Sequence, residues 1–140
     1  MRYEQDIVAW SATQAHHLKR KEWEQLDLEH LIEEIEALGR SEQRAFGSYL
    51  QVLMMHWLKW HYQPERRSKS WEHTVSYCRD QIQDALEDMP SLQRLLEDEE
   101  WLAKYYRRAR RDAAKETQKN LNIFPEAMPF TVQTLLTADL

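Results

Sequence analysis

The chain has 140 residues, 42% hydrophobic and 31% charged, with a net charge of −5. That length holds one domain with a real core and is too short for two ordinary ones, so a single domain over residues 1–140 is expected. Two glycines and four prolines exclude a turn-rich all-β fold, and the negative balance gives no global basic field to attract nucleic acid.

One cysteine, Cys78, excludes an internal disulfide and fits a reducing compartment. The opening MRYEQDIVAW is too acidic and interrupted for a signal peptide. The most apolar run, Val52 to Trp60, falls far short of the roughly 20 residues needed to span a bilayer. A cytoplasmic protein without membrane segments is expected.

In chain order, residues from Tyr3 to about Arg20 predict a first helix, with Tyr3, Ile7, Trp10, Gln14, His17 and Leu18 on one face. Lys21 to Leu26 is a short connection that Trp23 and Leu26 pack down. Asp27 is a good cap for the next element. At about 100° per residue, Leu28, Leu31, Ile32, Ile35 and Leu38 share a stripe with Phe46, Tyr49, Leu50, Leu53, Trp57 and Trp60. The phase survives Gly39 and Ser41, which favours one helix from about Leu28 to His61 with Gly39 facing inward, roughly 50 Å long. The rival reading is two helices, with Gly39 ending one and Ser41 capping the next. Glu42 lies near the middle of the stripe, where a carboxylate must be paired; Arg66, Arg67 and Arg79 are the candidate partners.

Pro64 stops the long helix. A third helix from about Ser70 to Asp88, capped by Ser68 or Ser70, carries Trp71, Val75, Cys78, Ile82, Ala85, Leu86 and Met89 on one face. The short loop before it makes it antiparallel to the long one. Ser91 caps a short helix bearing Leu92, Leu95 and Leu96. A further helix runs from Trp101 to about Gln118, and whether the two join is open. Its apolar face is narrow: Leu102, Tyr105, Tyr106, Ala109 and Ala113. Residues 120–130 are irregular, and Thr131 caps a last short helix through Leu136.

Several of these segments carry a resemblance. Glu33-Glu34-Ile35-Glu36, Leu38-Gly39-Arg40-Ser41-Glu42, His56-Trp57-Leu58-Lys59-Trp60, Tyr62 to Ser68 and Ser70-Trp71 together resemble domain of unknown function family 29, which is bacterial and abundant in cyanobacteria. The likeness extends to Tyr3-Glu4-Gln5-Asp6 with Trp10, Pro90-Ser91-Leu92 and Phe124-Pro125-Glu126. It implies an all-helical single domain and transfers no activity.

No nucleophile–base motif, phosphate-binding glycine loop or metal-ligand spacing occurs, so no catalytic residue, metal or cofactor is assigned. Glu29, Glu33 and Glu36 lie on one flank of the long helix. Residues 36 and 56 are about 30 Å apart on a straight helix, which argues against a shared site with His56. The candidate binding residues are Glu42 and the exit of the helix: Trp57, Trp60, Arg66, Arg67, Lys69 and Trp71. Cations beside tryptophans suit cation–π packing or an anion.

The expected fold is all-α, a bundle of five or six helices around one long helix. The expected function is a small binding or interaction module without catalysis, its partner a second copy or another protein. Two alternatives stand: a bundle metal site or enzyme using the long helix's carboxylates with histidine, and an anion or nucleic-acid binder at Arg66, Arg67 and Lys69.

Overall fold

The computed structural model describes residues 2–139. Among them the secondary structure is all α: five α-helices, four 3-10 segments and no strand. The helices are α1 (Ile7–Lys19), α2 (Leu28–Tyr62), α3 (Lys69–Asp88), α4 (Glu99–Thr117) and α5 (Val132–Thr137). The longest 3-10 segment, Pro90–Glu97, stands where the short fourth helix was expected.

α2 is one unbroken helix of 35 residues, so Gly39 ends nothing. Gly39 also faces nothing: a Cβ built there meets no atom within 4 Å. The inward placement expected for it is therefore corrected. Pro64 opens a 3-10 turn after α2, and Ser68 caps α3 by accepting from Trp71 N–H at 3.3 Å. α4 does not join the segment before it. Asp98 is extended there and caps α4, its carboxylate accepting from Trp101 N–H at 3.1 Å. Thr131 caps α5 as the sequence suggests. Ser91 caps nothing; the 3-10 run opens at Pro90 with no side-chain cap.

By contact the chain divides into two compact units, residues 1–42 and 43–140. The larger holds the apolar core. Phe46, Leu50, Leu53, Met54 and Leu58 from α2 are buried with Val75, Cys78 and Ile82 of α3 and the predicted face of α4. Tyr49 meets Tyr77 and Lys59 meets Trp71, so α3 runs antiparallel to this half of α2. Phe46 stacks on Trp101 and Gln51 bonds Asp112, so α4 runs parallel to it. Gly47 lets α4 approach: an added Cβ would stand 2.2 Å from the Tyr105 ring.

The smaller unit is a helical hairpin. α1 starts later than the periodicity suggests, because Asp6 caps it through Ala9 N–H at 3.0 Å. Tyr3 lies before the helix, and its hydroxyl donates to Glu34. Lys21, with φ of 58°, turns the chain out of α1. Trp23 is 57% exposed and packs nothing down, contrary to the staple expected there.

Candidate interaction surface

The hairpin is fastened by a polar knot rather than by a core. Asp27 sits at the start of α2, and its carboxylate accepts from Trp10 Nε1–H at 2.9 Å and meets His30 Nδ1 at 2.7 Å. Its own N–H donates to the buried Gln14 Oε1 at 2.7 Å. Tyr3 stacks on His30 with ring centroids 4.1 Å apart. The His30 and Trp10 bonds hold the Asp27 carboxyl below its usual range, and the Asp27 bond raises His30. The bond to Glu34 pushes Tyr3 up to about 12. These pairings run from Tyr3 with Glu34 to Gln14 with Asp27, so α1 and α2 are antiparallel in this unit.

Trp10 is the one large hydrophobic side chain buried among the described residues of this unit. Ile7, Val8 and Leu18 on α1 and Leu28, Ile32, Ile35 and Leu38 on α2 stand 45–75% exposed. Two hollows of about 410 and 400 Å³ share Leu31 and Glu34; the first lies between α1 and α2, and the second is lined by α2 alone. Ile7, Ser11, Ala15 and Leu18 form the α1 wall of the first; Leu31, Ile35 and Leu38 line the second. Aliphatic and small side chains line most of the groove, together with Trp10, Gln14 and Glu34.

Its setting is acidic. Residues 1–42 contain ten Asp and Glu against five Lys and Arg, while residues 43–140 are balanced at fourteen each. The whole net charge therefore belongs to the hairpin. Glu29, Glu33 and Glu36 stand exposed on α2, and Glu34 lines both hollows.

The residues expected to form a site divide between the two units. Glu42 is exposed, which corrects its expected burial. It shares the phase of the apolar stripe on α2, but nothing covers that turn of the helix. Its expected partners are occupied elsewhere: Arg67 Nε–H donates to Trp60 O at 2.8 Å, and Arg79 bonds Leu135 O at 3.0 Å and Ala138 O at 2.8 Å. The other six lie together in the larger unit. The Arg67 guanidinium covers the buried Trp60 ring at 4.9 Å. Trp57, half-buried, packs on His61 at 3.9 Å and Phe130 at 4.8 Å. Lys59 lies buried over Trp71 at 4.7 Å and pairs with Glu116 at 3.1 Å. Arg66 and Lys69 remain exposed. The geometry thus uses Arg67 and Lys59 to pack tryptophans.

The remaining titratable groups follow their burial. Burial lowers His56, whose Nδ1 donates to Val52 O at 2.9 Å, and burial raises the Cys78 thiol. A hollow of about 680 Å³ beside α4 is lined by Leu102, Tyr106 and Arg110. There the Tyr106 hydroxyl donates to Pro125 O at 2.6 Å and Arg110 Nε–H to Phe124 O at 3.0 Å, which straps the irregular segment onto α4. Among the described residues no three His, Cys, Asp or Glu side chains gather in a metal-holding group. None of their helices is long and apolar enough to cross a membrane.

The apolar groove is the feature that sequence reasoning missed, since its stripe reads as core. The charge asymmetry between residues 1–42 and the remainder was the available signal. The family model described as Domain of unknown function DUF29 matches residues 2–140. No curated protein and no solved structure matches the chain.

Proposed function

Because the chain belongs to the DUF29 family over essentially its whole length, and that family's description assigns no activity, we propose a function from the surface itself: a small interaction module that binds a protein partner along the α1/α2 groove and performs no chemistry of its own. The exposed aliphatic groove carries this reading. A fully buried aliphatic side chain removes roughly 100 Å² from water, at about 2.5 kcal/mol and about 25 cal/mol per Å². The five that line the hollows, Ile7, Val8, Leu18, Ile35 and Leu38, are about half to three-quarters exposed and come to about 300 Å², at the lower end of the roughly 300–600 Å² of the largest and often functional patch on a monomer. A cytoplasmic setting accompanies the proposal, supported by the single buried thiol.

The test is a photo-crosslinking residue placed at Ile35 in cells that make the protein, with one at the exposed Tyr77 as control. A discrete protein adduct from position 35 and none from position 77 is expected. Absence of a discrete adduct from position 35 overturns the reading.

A further inference from the structure

The chain that follows α4 turns back and makes a wall beside it. Phe124 and Phe130 are buried, and Pro125 and Pro129 keep the residues between them out of a helix. The segment is held at both ends: Tyr106 donates to Pro125 O at 2.6 Å, Arg110 Nε–H donates to Phe124 O at 3.0 Å, and the Phe130 ring meets Tyr106 at 5.8 Å. Residues 126–128 and one face of α4 then enclose a hollow of about 680 Å³. Small-molecule sites occupy roughly 300–1,000 Å³.

The lining divides by chemistry along α4. Leu102 and Ala103 come first, and Tyr106 follows a turn later. The Tyr106 hydroxyl is already engaged with Pro125, so its ring offers an apolar surface. Met128, unbranched and adaptable in shape, completes an apolar bed. Arg107 and Arg110 follow, three residues apart and so on one face. From Leu102 to Arg110 the hollow runs ~12 Å at ~1.5 Å per residue.

Arg110 is half-buried and only partly used. Its Nε bond to Phe124 O fixes the guanidinium, while its two terminal nitrogens find no acceptor among the described residues. No buried side-chain nitrogen or oxygen among those residues lacks a partner, so the free fork of Arg110 reaches open space. No ion pair among them uses Arg107 or Arg110. Arg79 makes the contrast. In the hollow of about 590 Å³ between α3 and α5 it gives Nε and a terminal nitrogen to main-chain carbonyls, and Glu72, Asp80 and Asp139 line the same space. That hollow offers an anion little. A planar guanidinium fork matches a carboxylate in two parallel bonds. A single negative charge suits the α4 hollow better than a phosphate, because Glu99 and Glu126, both exposed, also line it.

We propose that the hollow beside α4 binds a small amphipathic carboxylate, its apolar chain against Leu102, Ala103, Tyr106 and Met128 and its head on the Arg107 and Arg110 guanidiniums. This site lies outside the α1/α2 groove and stands independently of the interaction-module reading.

The test titrates the full chain with decanoate, decanol and decylamine, which share one chain and differ in the head, and with acetate, which keeps the head and lacks the chain. Calorimetry below the micelle-forming concentration should show decanoate binding about tenfold or more tighter than any of the others. Arg107→Gln, at an exposed position, should weaken decanoate about three- to tenfold and leave the circular dichroism unchanged. Ala103→Trp, which fills the hollow, should abolish binding; if that variant does not fold, Arg107→Gln and the methyl resonance of Met128 decide. That resonance should shift with decanoate while that of Met89, outside the hollow, stays in place. Failure of decanoate to bind overturns the proposal. Decanol or acetate binding as tightly as decanoate overturns it too, as does decanoate binding that neither responds to Arg107→Gln nor moves Met128.

Discussion

One helix, α2, carries one apolar stripe through two different fates. From Phe46 onward the stripe is buried: Phe46, Leu50 and Leu53 are 0–1% exposed. From Leu28 to Leu38 the same phase stands in water, with Ile35 at 69% and Leu38 at 67%. The larger unit is held by aliphatic and aromatic packing and has no net charge; the hairpin is held by a carboxylate–imidazole–indole knot and carries all of it. The difference shows that helical periodicity records which side chains can be buried together. Burial itself needs a neighbour, and the hairpin's apolar face has none of its own.

The largest expected effect separates the two halves of the stripe. Leu50→Ala should destabilise by about 2–5 kcal/mol through lost contacts and a cavity. Ile35→Ala, measured on dilute monomer, should stay within about 0.5 kcal/mol. Urea denaturation checks both, and a comparable loss at Ile35 would break the contrast. Next come the two glycines of α2. Gly47→Ala should cost about 1–3 kcal/mol, because its methyl group meets the Tyr105 ring. Gly39→Ala, with open space around it, should stabilise by about 0.5–1 kcal/mol by removing a flexible residue from a helix interior. Opposite signs in thermal melts sharpen the comparison; equal signs break it.

The smallest effect is in pH. His30 has a raised value, so its stabilisation is fully present below 6.5 and is lost as pH rises through that raised value. His56 is lowered by burial, so the larger unit is favoured above 6.5 and loses stability as pH falls through that lowered value. Acidifying from about 7.5 to about 5.5 should strengthen hydrogen-exchange protection in residues 7–34 and weaken it around 52–60, after correction for intrinsic rates. Shifts in the same direction in both would remove the electrostatic half of the contrast.

Much of the local structure was legible. The buried face of α4, the caps at Asp27, Ser68 and Thr131, the stop at Pro64 and the buried Cys78 all follow from short-range chemistry. The cluster at the exit of α2 was legible as residues but not as roles. Cations next to tryptophans read equally well as an anion site or as packing, and only the 2.8 Å bond from Arg67 to a main-chain carbonyl and the Lys59–Glu116 pair distinguish them.

The sequence by itself determined the α-helical class, the caps at Asp27, Ser68 and Thr131, the phase of α2 and the acidity of its first part, because caps, periodicity and charge act over a few residues. The tertiary structure decided which turns of that phase are covered. It left Glu42 in water, opened the α1/α2 groove, and brought Tyr105 against Gly47. Those outcomes depend on contacts between residues far apart in the chain, which no local pattern encodes.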